Sequence, residues 1–219
     1  MSATHTAARP RLRADAVRNR ERILDAANEA FVAEGGEVPL DEIARRAGVG
    51  NATLYRHFPD RKSLLFHVLL YVNHRITERA RRLLEGDHDP FEALSEAMLS
   101  TADDCLGALC IELLDSGVDR EHPELVASRE RVFSITQRLI DRARDSGQLR
   151  SDIGSGDLLI AVGRLTRPMP GGLCPGGRTM ARRHLQIFLD GLRAPARTEL
   201  PGPALEVADL KEEVWSQEV

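Results

Sequence analysis

Leu40-Asp-Glu-Ile-Ala-Arg-Arg-Ala-Gly-Val-Gly-Asn-Ala-Thr-Leu-Tyr-Arg-His-Phe58 decides the fold. Asp41 and Glu42 suit the positive amino end of a short helix over Asp41–Ala47, and Gly48 stands where a helix ends in a left-handed residue. Gly48-Val-Gly-Asn51 then reads as a tight turn. A further helix over Ala52–Phe58 must stop before Pro59, because a residue preceding proline avoids the α region. Leu54 and Phe58, four apart, form its dry face. Upstream, Val17, Ile23, Leu24, Ala27, Phe31 and Val32 recur at helical spacing over Val17–Glu34, and Gly35-Gly36 supplies a stop. Downstream, Asp60 can cap a helix carrying Leu64, Leu65, Val68, Leu69, Val72 and Ile76 towards Leu83, ended by Gly86.

Two short helices joined by a glycine-containing turn, with a preceding helix able to pack on both, constitute a helix-turn-helix unit. With Leu54 and Phe58 turned inward, Thr53, Tyr55, Arg56 and His57 are left to face outward, offering hydroxyls, a guanidinium and an imidazole to bases and phosphates. The amino end of the next helix, with Arg61 and Lys62, suits a backbone phosphate.

Charge distribution agrees. Residues 1–82 hold 15 Lys or Arg against 10 Asp or Glu, whereas the remainder holds 15 against 24, so the net charge of −4 conceals a basic amino-terminal part fit to meet a polyanion. Arg9, Arg11, Arg13, Arg18, Arg20 and Arg22 face only Asp15 and Glu21 there. Residues 1–15 read as a flexible arginine-rich arm able to reach a minor groove.

The rest of the 219-residue chain is expected to be helical too. Aromatic residues are only 4%, too few for a sandwich or barrel built on them. Helical patterns follow at Phe91–Thr101, Asp103–Leu114, Pro123–Arg144, Asp157–Arg167 and Arg178–Leu192, about nine helices in all, and Pro168–Gly177 reads as an irregular connection. The fold class is all-α, with a helix-turn-helix domain at 16–62, a larger helical domain at 63–193 and a mostly flexible acidic tail at 194–219. Within that tail a short helix would place Leu210, Val214 and Trp215 on a surface. Cys105, Cys110 and Cys174 lack CxxC spacing and fit buried thiols in a reducing compartment. Neither a signal peptide nor a membrane span is expected, which makes the cytoplasm the default location.

The combination Arg22-Ile-Leu-Asp-Ala-Ala27, Phe31, Gly35, Leu40-Asp-Glu-Ile-Ala-Arg-Arg-Ala-Gly-Val49, Thr53-Leu-Tyr-Arg-His-Phe58, Arg61 and Leu64-Leu65 resembles the tetracycline-repressor (TetR) family of one-component transcriptional regulators. The resemblance covers about the first 70 residues. It implies an all-helical homodimer without catalysis or cofactor, whose paired heads bind a palindromic operator in double-stranded DNA. The second domain would hold a small ligand of unknown identity that changes the spacing of the heads and releases the repressor.

Carried over by position, Thr53, Tyr55 and His57 fall where such regulators contact DNA, Asn51 and Ala52 start the recognition helix, and Arg61 falls where many relatives have a phosphate-binding lysine. Pro39-Leu40 departs from the usual Thr or Ser. Arg56 departs as well, and as a bidentate donor it is suited to reading guanine. Arg45 and Arg46 are flanking phosphate candidates. The resemblance also implies that the last two helices pair with their copies in a four-helix bundle, drawing on Leu158, Leu159, Val162, Leu165, His184, Leu185, Phe188 and Leu192. Sequence alone leaves open which of these face the monomer core.

Phe91, Leu94, Met98, Cys105, Leu109, Cys110, Leu113, Phe133 and Leu139 stock the second domain and read first as core. No metal is expected, since His67 and His74 lack HxxxH or CxxC company. Three alternatives stay open: the same head carrying a metal-sensing or catalytic domain, an architectural DNA binder, and an activator instead of a repressor.

Overall fold

A computed structural model describes residues 8–34, 38–104, 117–166, 177–196 and 198–209. Among these the regular structure is helical: α1 (Ala8–Glu34), α2 (Leu40–Ala47), α3 (Asn51–His57), α4 (Arg61–Glu85), α5 (Pro90–Asp103), α6 (Pro123–Asp145), α7 (Ser155–Leu165) and α8 (Gly177–Asp190). Among the described residues the sole β feature is an isolated antiparallel bridge between Leu149 and Arg193. The fold is the all-α arrangement read from the sequence. Most of the expected Asp103–Leu114 helix, nearly all of the Pro168–Gly177 connection, the three cysteines, Leu109, Leu113, Gly35, Leu210, Val214 and Trp215 lie outside the described residues.

The chain divides into two compact units, and the division falls within α4 between Tyr71 and Val72, further along than the expected boundary after residue 62. In the first unit, α1, α2, α3 and the start of α4 enclose Ile23, Leu24, Ala27, Phe31, Ile43, Leu54, Phe58, Leu64 and Val68, all essentially inaccessible to solvent. Val17, at the start of the same apolar recurrence, is exposed.

Helix α1 starts at Ala8, so residues 8–15 of the expected flexible arm are helical. Arginine and alanine are strong helix formers, and Pro10 falls in the first turn, where a missing N–H costs no hydrogen bond. The turn after α2 closes as a Schellman motif: Gly48 sits at φ 63°, its N–H donates to the Arg45 carbonyl at 3.1 Å, and the Val49 N–H donates to the Ala44 carbonyl at 3.0 Å.

The second unit buries Phe91 and Leu94 of α5, Leu139 and Ile140 of α6, Leu158 and Val162 of α7, and Leu185 and Leu189 of α8 in one cluster. Asp89 caps α5 by accepting from the Phe91 and Glu92 N–H groups at 3.1 and 3.0 Å. Backbone donation from these groups and a hydrogen bond from Gln148 hold its carboxyl below the usual range.

The fold apportions the apolar stripes of the last two helices. Leu158, Val162, Leu185 and Leu192 are all buried in the core of their own unit, and Leu165 packs partly against it. These five, offered above as interface candidates, stabilise the monomer. His184 is exposed and Phe188 half-buried.

Residues 198–209, expected to open a mobile tail, are placed against the second unit. The Arg150 guanidinium donates to the Thr198 carbonyl at 2.7 Å. The Gly156 N–H donates to the Leu205 carbonyl at 2.8 Å. No helix among the described residues is long and apolar enough to cross a membrane.

Candidate nucleic-acid interface

Helix α3 has seven residues, and its burial pattern decides what it can present. Leu54 and the following Phe58 are fully buried. Asn51, Ala52, Tyr55 and Arg56 are exposed, and Thr53 is half-buried. Positions 52, 55 and 56 share a face by helical spacing, so that face carries a methyl, a phenol and a guanidinium. Tyr55 keeps 46% of its surface, a large aromatic held open beside a dry core. No hydroxyl or carboxylate caps α3, since its N-cap is Gly50. The Thr53 and Leu54 N–H groups donate instead to the Gly50 carbonyl at 2.8 and 3.2 Å, and the Asn51 side chain is exposed.

His57 differs from expectation. It is half-buried, its Nε2 is shielded from solvent, and its ring lies 6.1 Å from that of Phe58. Position 57 is three residues after Leu54 and so borders the inward face. Burial, followed by the nearby Arg56 and Arg20 cations, pushes its pKa below that of a free imidazole, favouring a neutral ring.

Two arginines of α1 brace the motif. The Arg22 Nη2 donates to the Gly48 carbonyl at 3.1 Å, tying α1 to the turn, and the Arg20 guanidinium lies 5.5 Å from the centre of the Phe58 ring. Asp25 accepts from the Tyr71 hydroxyl at 2.9 Å. Their spacing in the chain marked Arg20 and Arg22 only as part of a basic face. Which cation finds an internal acceptor depends on where α2 ends in space.

The remaining basic candidates divide. Arg45 donates through two nitrogens to Glu42 at 2.7 and 2.6 Å, and Arg46 donates to Glu42 at 2.7 Å and also pairs with Glu34. Hydrogen bonds from Arg45 and then Arg46 lower the Glu42 pKa to about 2. These cations are largely neutralised within the unit, although the Arg45 side chain remains 74% exposed. Arg61 turns inward, donating to the Val38 carbonyl with its guanidinium 5.8 Å from the Phe31 ring centre. In the protein alone it staples the segment before α2 to the start of α4. Lys62 is exposed at the first turn of α4, where Asp60 accepts from the Ser63 N–H at 2.7 Å. The side chains of Arg9, Arg11 and Arg13 lie outside the described residues.

Residues 23–68 match the model of the bacterial regulatory proteins of the tetR family, and residues 89–194 match that of the SbtR-like transcriptional regulator C-terminal domain. The chain belongs to the TetR family. A similar solved structure is the TetR transcription regulatory protein from Mycobacterium vanbaalenii, 33% identical with a TM-score of 0.63 over 84% of this chain and 99% of that one. The HTH-type transcriptional regulator SrpR from Pseudomonas putida is 31% identical over 68% of this chain and 71% of its own length. The HTH-type transcriptional regulator SAB2452 from Staphylococcus aureus is 32% identical over 88 residues, about half its length at 48%.

This TetR-family chain is thus a helix-turn-helix transcriptional regulator, with α2 and α3 as the motif. Among the described residues, no group of three or more His, Cys, Asp or Glu side chains is placed to hold a metal ion.

Proposed function

We propose that the protein is a homodimeric repressor that binds a palindromic operator through α3 and is released by a small molecule bound in its second unit. The observation that carries the reading is the open face of Ala52, Tyr55 and Arg56 on a helix whose other face is fully buried. Arg56 is the bidentate donor suited to guanine, Tyr55 supplies an apolar ring with a hydroxyl, and Asn51, Thr53 and Lys62 suit phosphates and flanking base edges. His57 would act as packing for Tyr55 and Arg56, with Arg45 a secondary phosphate contact once it leaves Glu42.

One seven-residue helix spans too few base pairs for useful affinity. Two heads about 34 Å apart meet successive major grooves on one side of a duplex. The surface that supports self-association lies on the outward sides of α7 and α8: Ile160, Ala161, Ile187 and Phe188 line a groove of about 460 Å³ together with Leu200. Ile187 is 60% exposed and Leu200 39%, and their clustering with Ile160 and Phe188, more than the exposure of either alone, is what suits the face to a second copy. With His184 beside them, these residues replace the four core leucines and valine of the earlier expectation.

Release requires a ligand that binds the DNA-incompetent spacing better than the competent one, and a coupling of about 1–3 kcal/mol would weaken operator binding about 5- to 150-fold. Selection of genomic fragments by the purified protein at moderate salt tests the proposal. A short inverted repeat is the expected product, whereas retention without a common motif would refute operator recognition.

A further inference from the structure

Among the described residues, α4 to α7 line a narrow, partly open void of only about 40 Å³, with Ile76, Met98, Thr136, Leu158 and Leu159 among its walls and Val207 as its one wall from outside those helices. On the other side of that wall runs an open groove of about 280 Å³, lined by Phe133, Gln137, Ser155, Glu206 and Val207. A small-molecule site needs roughly 300–1,000 Å³. At about 40 Å³ the void is far too small to accept such a molecule.

A set of polar contacts holds the wall. The Leu205 carbonyl accepts from the Gly156 and Asp157 N–H groups at 2.8 and 3.2 Å, and the Leu205 N–H donates to Asp157 at 3.1 Å. The Ser155 N–H and hydroxyl donate to Glu206 at 3.1 and 2.6 Å, and the Val207 N–H donates to the Ser155 hydroxyl at 3.2 Å. Leu205, Glu206 and Val207 are each partly exposed. The fit depends on two glycines: a Cβ at Gly154 would stand 2.2 Å from the Leu205 carbonyl oxygen, and one at Gly156 would stand 2.8 Å from the carbonyl oxygens of both Leu205 and Glu206.

We propose that Leu205–Val207 is a displaceable strap that gates the ligand cavity: lifting it from Gly154-Ser155-Gly156 withdraws Val207 and joins the void to the groove. This rests on the reading of the second unit as the ligand-binding part. The joined space takes an uncharged, mainly apolar molecule, because its inner walls are mostly aliphatic and aromatic side chains, with Thr101, Thr136 and Ser155 as the hydroxyl-bearing residues among them and no charged side chain. A gate that must open before binding weakens apparent affinity by the fraction of time it is open. Loosening the strap therefore tightens binding, the reverse of what loss of a structural support would do.

The test uses the full chain and the uncharged fluorophore N-phenyl-1-naphthylamine, measured by stopped flow and by titration. Gly156→Ala drives a Cβ into the strap while improving helix propensity in α7. Glu206→Ala removes the carboxylate that Ser155 holds. Both are expected to speed association and tighten apparent affinity about three- to tenfold, as loss of one or two ordinary hydrogen bonds from the closed state would give. Leu159→Trp, or Thr136→Leu should the larger ring not be accommodated, fills the void and is expected to abolish binding. If filling blocks the probe but both strap variants bind as the wild type or more weakly, the gate is refuted and the cavity stands. If the probe does not bind, or is indifferent to filling, the cavity reading and the gate both fall.

Discussion

Gly48→Ala is the sharpest test of how the helix-turn-helix is built. Gly48 sits at φ 63°, and forcing a residue with a Cβ into that left-handed region costs about 1–2 kcal/mol. The new Cβ would also stand 2.4 Å from the Arg22 Nη2, displacing the guanidinium from the Gly48 carbonyl. That bond is exposed, so its loss adds at most about 0.5–1 kcal/mol. The expected sum is about 2 kcal/mol. Gly50 supplies the control two residues on: its φ is −72° and a Cβ there meets nothing within 4 Å, so Gly50→Ala is expected to stay within about 0.5 kcal/mol of wild type. Gly48→Asn should fall between, because asparagine tolerates the left-handed region. Thermal unfolding at one fixed protein concentration reads the series, with a midpoint drop of about 4–8 °C for Gly48→Ala. Equal effects at both glycines, or a harmless Gly48→Ala, would refute the reasoning.

The Arg45 and Arg46 hydrogen bonds hold the Glu42 carboxyl at about 2 against its ordinary 4.5, so its stabilising contribution is complete above the unfolded value and is lost as pH falls from about 4.5 towards 2. Acid titration of wild type and Glu42→Gln should differ in slope within that window and nowhere above it. Arg61→Ala should lower stability through the lost Val38 and Phe31 contacts, whereas Lys62→Ala should leave stability unchanged and reduce the salt slope of DNA binding by about 1 per contacted phosphate. Denaturation and salt-dependent binding isotherms separate the two. Leu185→Ala should cost about 2–5 kcal/mol without altering self-association, and Ile187→Asp should abolish association while the monomer stays folded, as sedimentation velocity would show.

Where local chemistry is strong, the sequence was readable. Leu54 and Phe58 are four apart and both are fully buried, Gly48 takes the left-handed conformation its position required, and Pro59 follows a helix that ends at His57. Failures occur where a side chain has a choice of partners. Arg20, Arg22 and Arg61 look like surface cations in sequence, but the Gly48 and Val38 carbonyls and the Phe58 ring claim them once the helices meet. Helices α7 and α8 each carry apolar residues on more than one face, and periodicity cannot say which face meets the core. The segment 198–209 that carries the strap has the proline and glutamate content of a mobile tail, with Glu199, Pro201, Pro203 and Glu206. Its docking follows from two glycines some fifty residues upstream, which only the folded chain brings to Leu205.

In the proposed function the outer face of α3 reads an operator. The most direct measurement is the affinity of wild type, Tyr55→Ala and Arg56→Ala for the selected inverted repeat and for a scrambled duplex of equal length, with fold and association checked on each protein. Both variants should lose about 5- to 150-fold on the repeat, the worth of one good base contact, and little on the scrambled duplex. Wild-type affinity for the repeat in both variants, with the fold intact, would contradict the assignment.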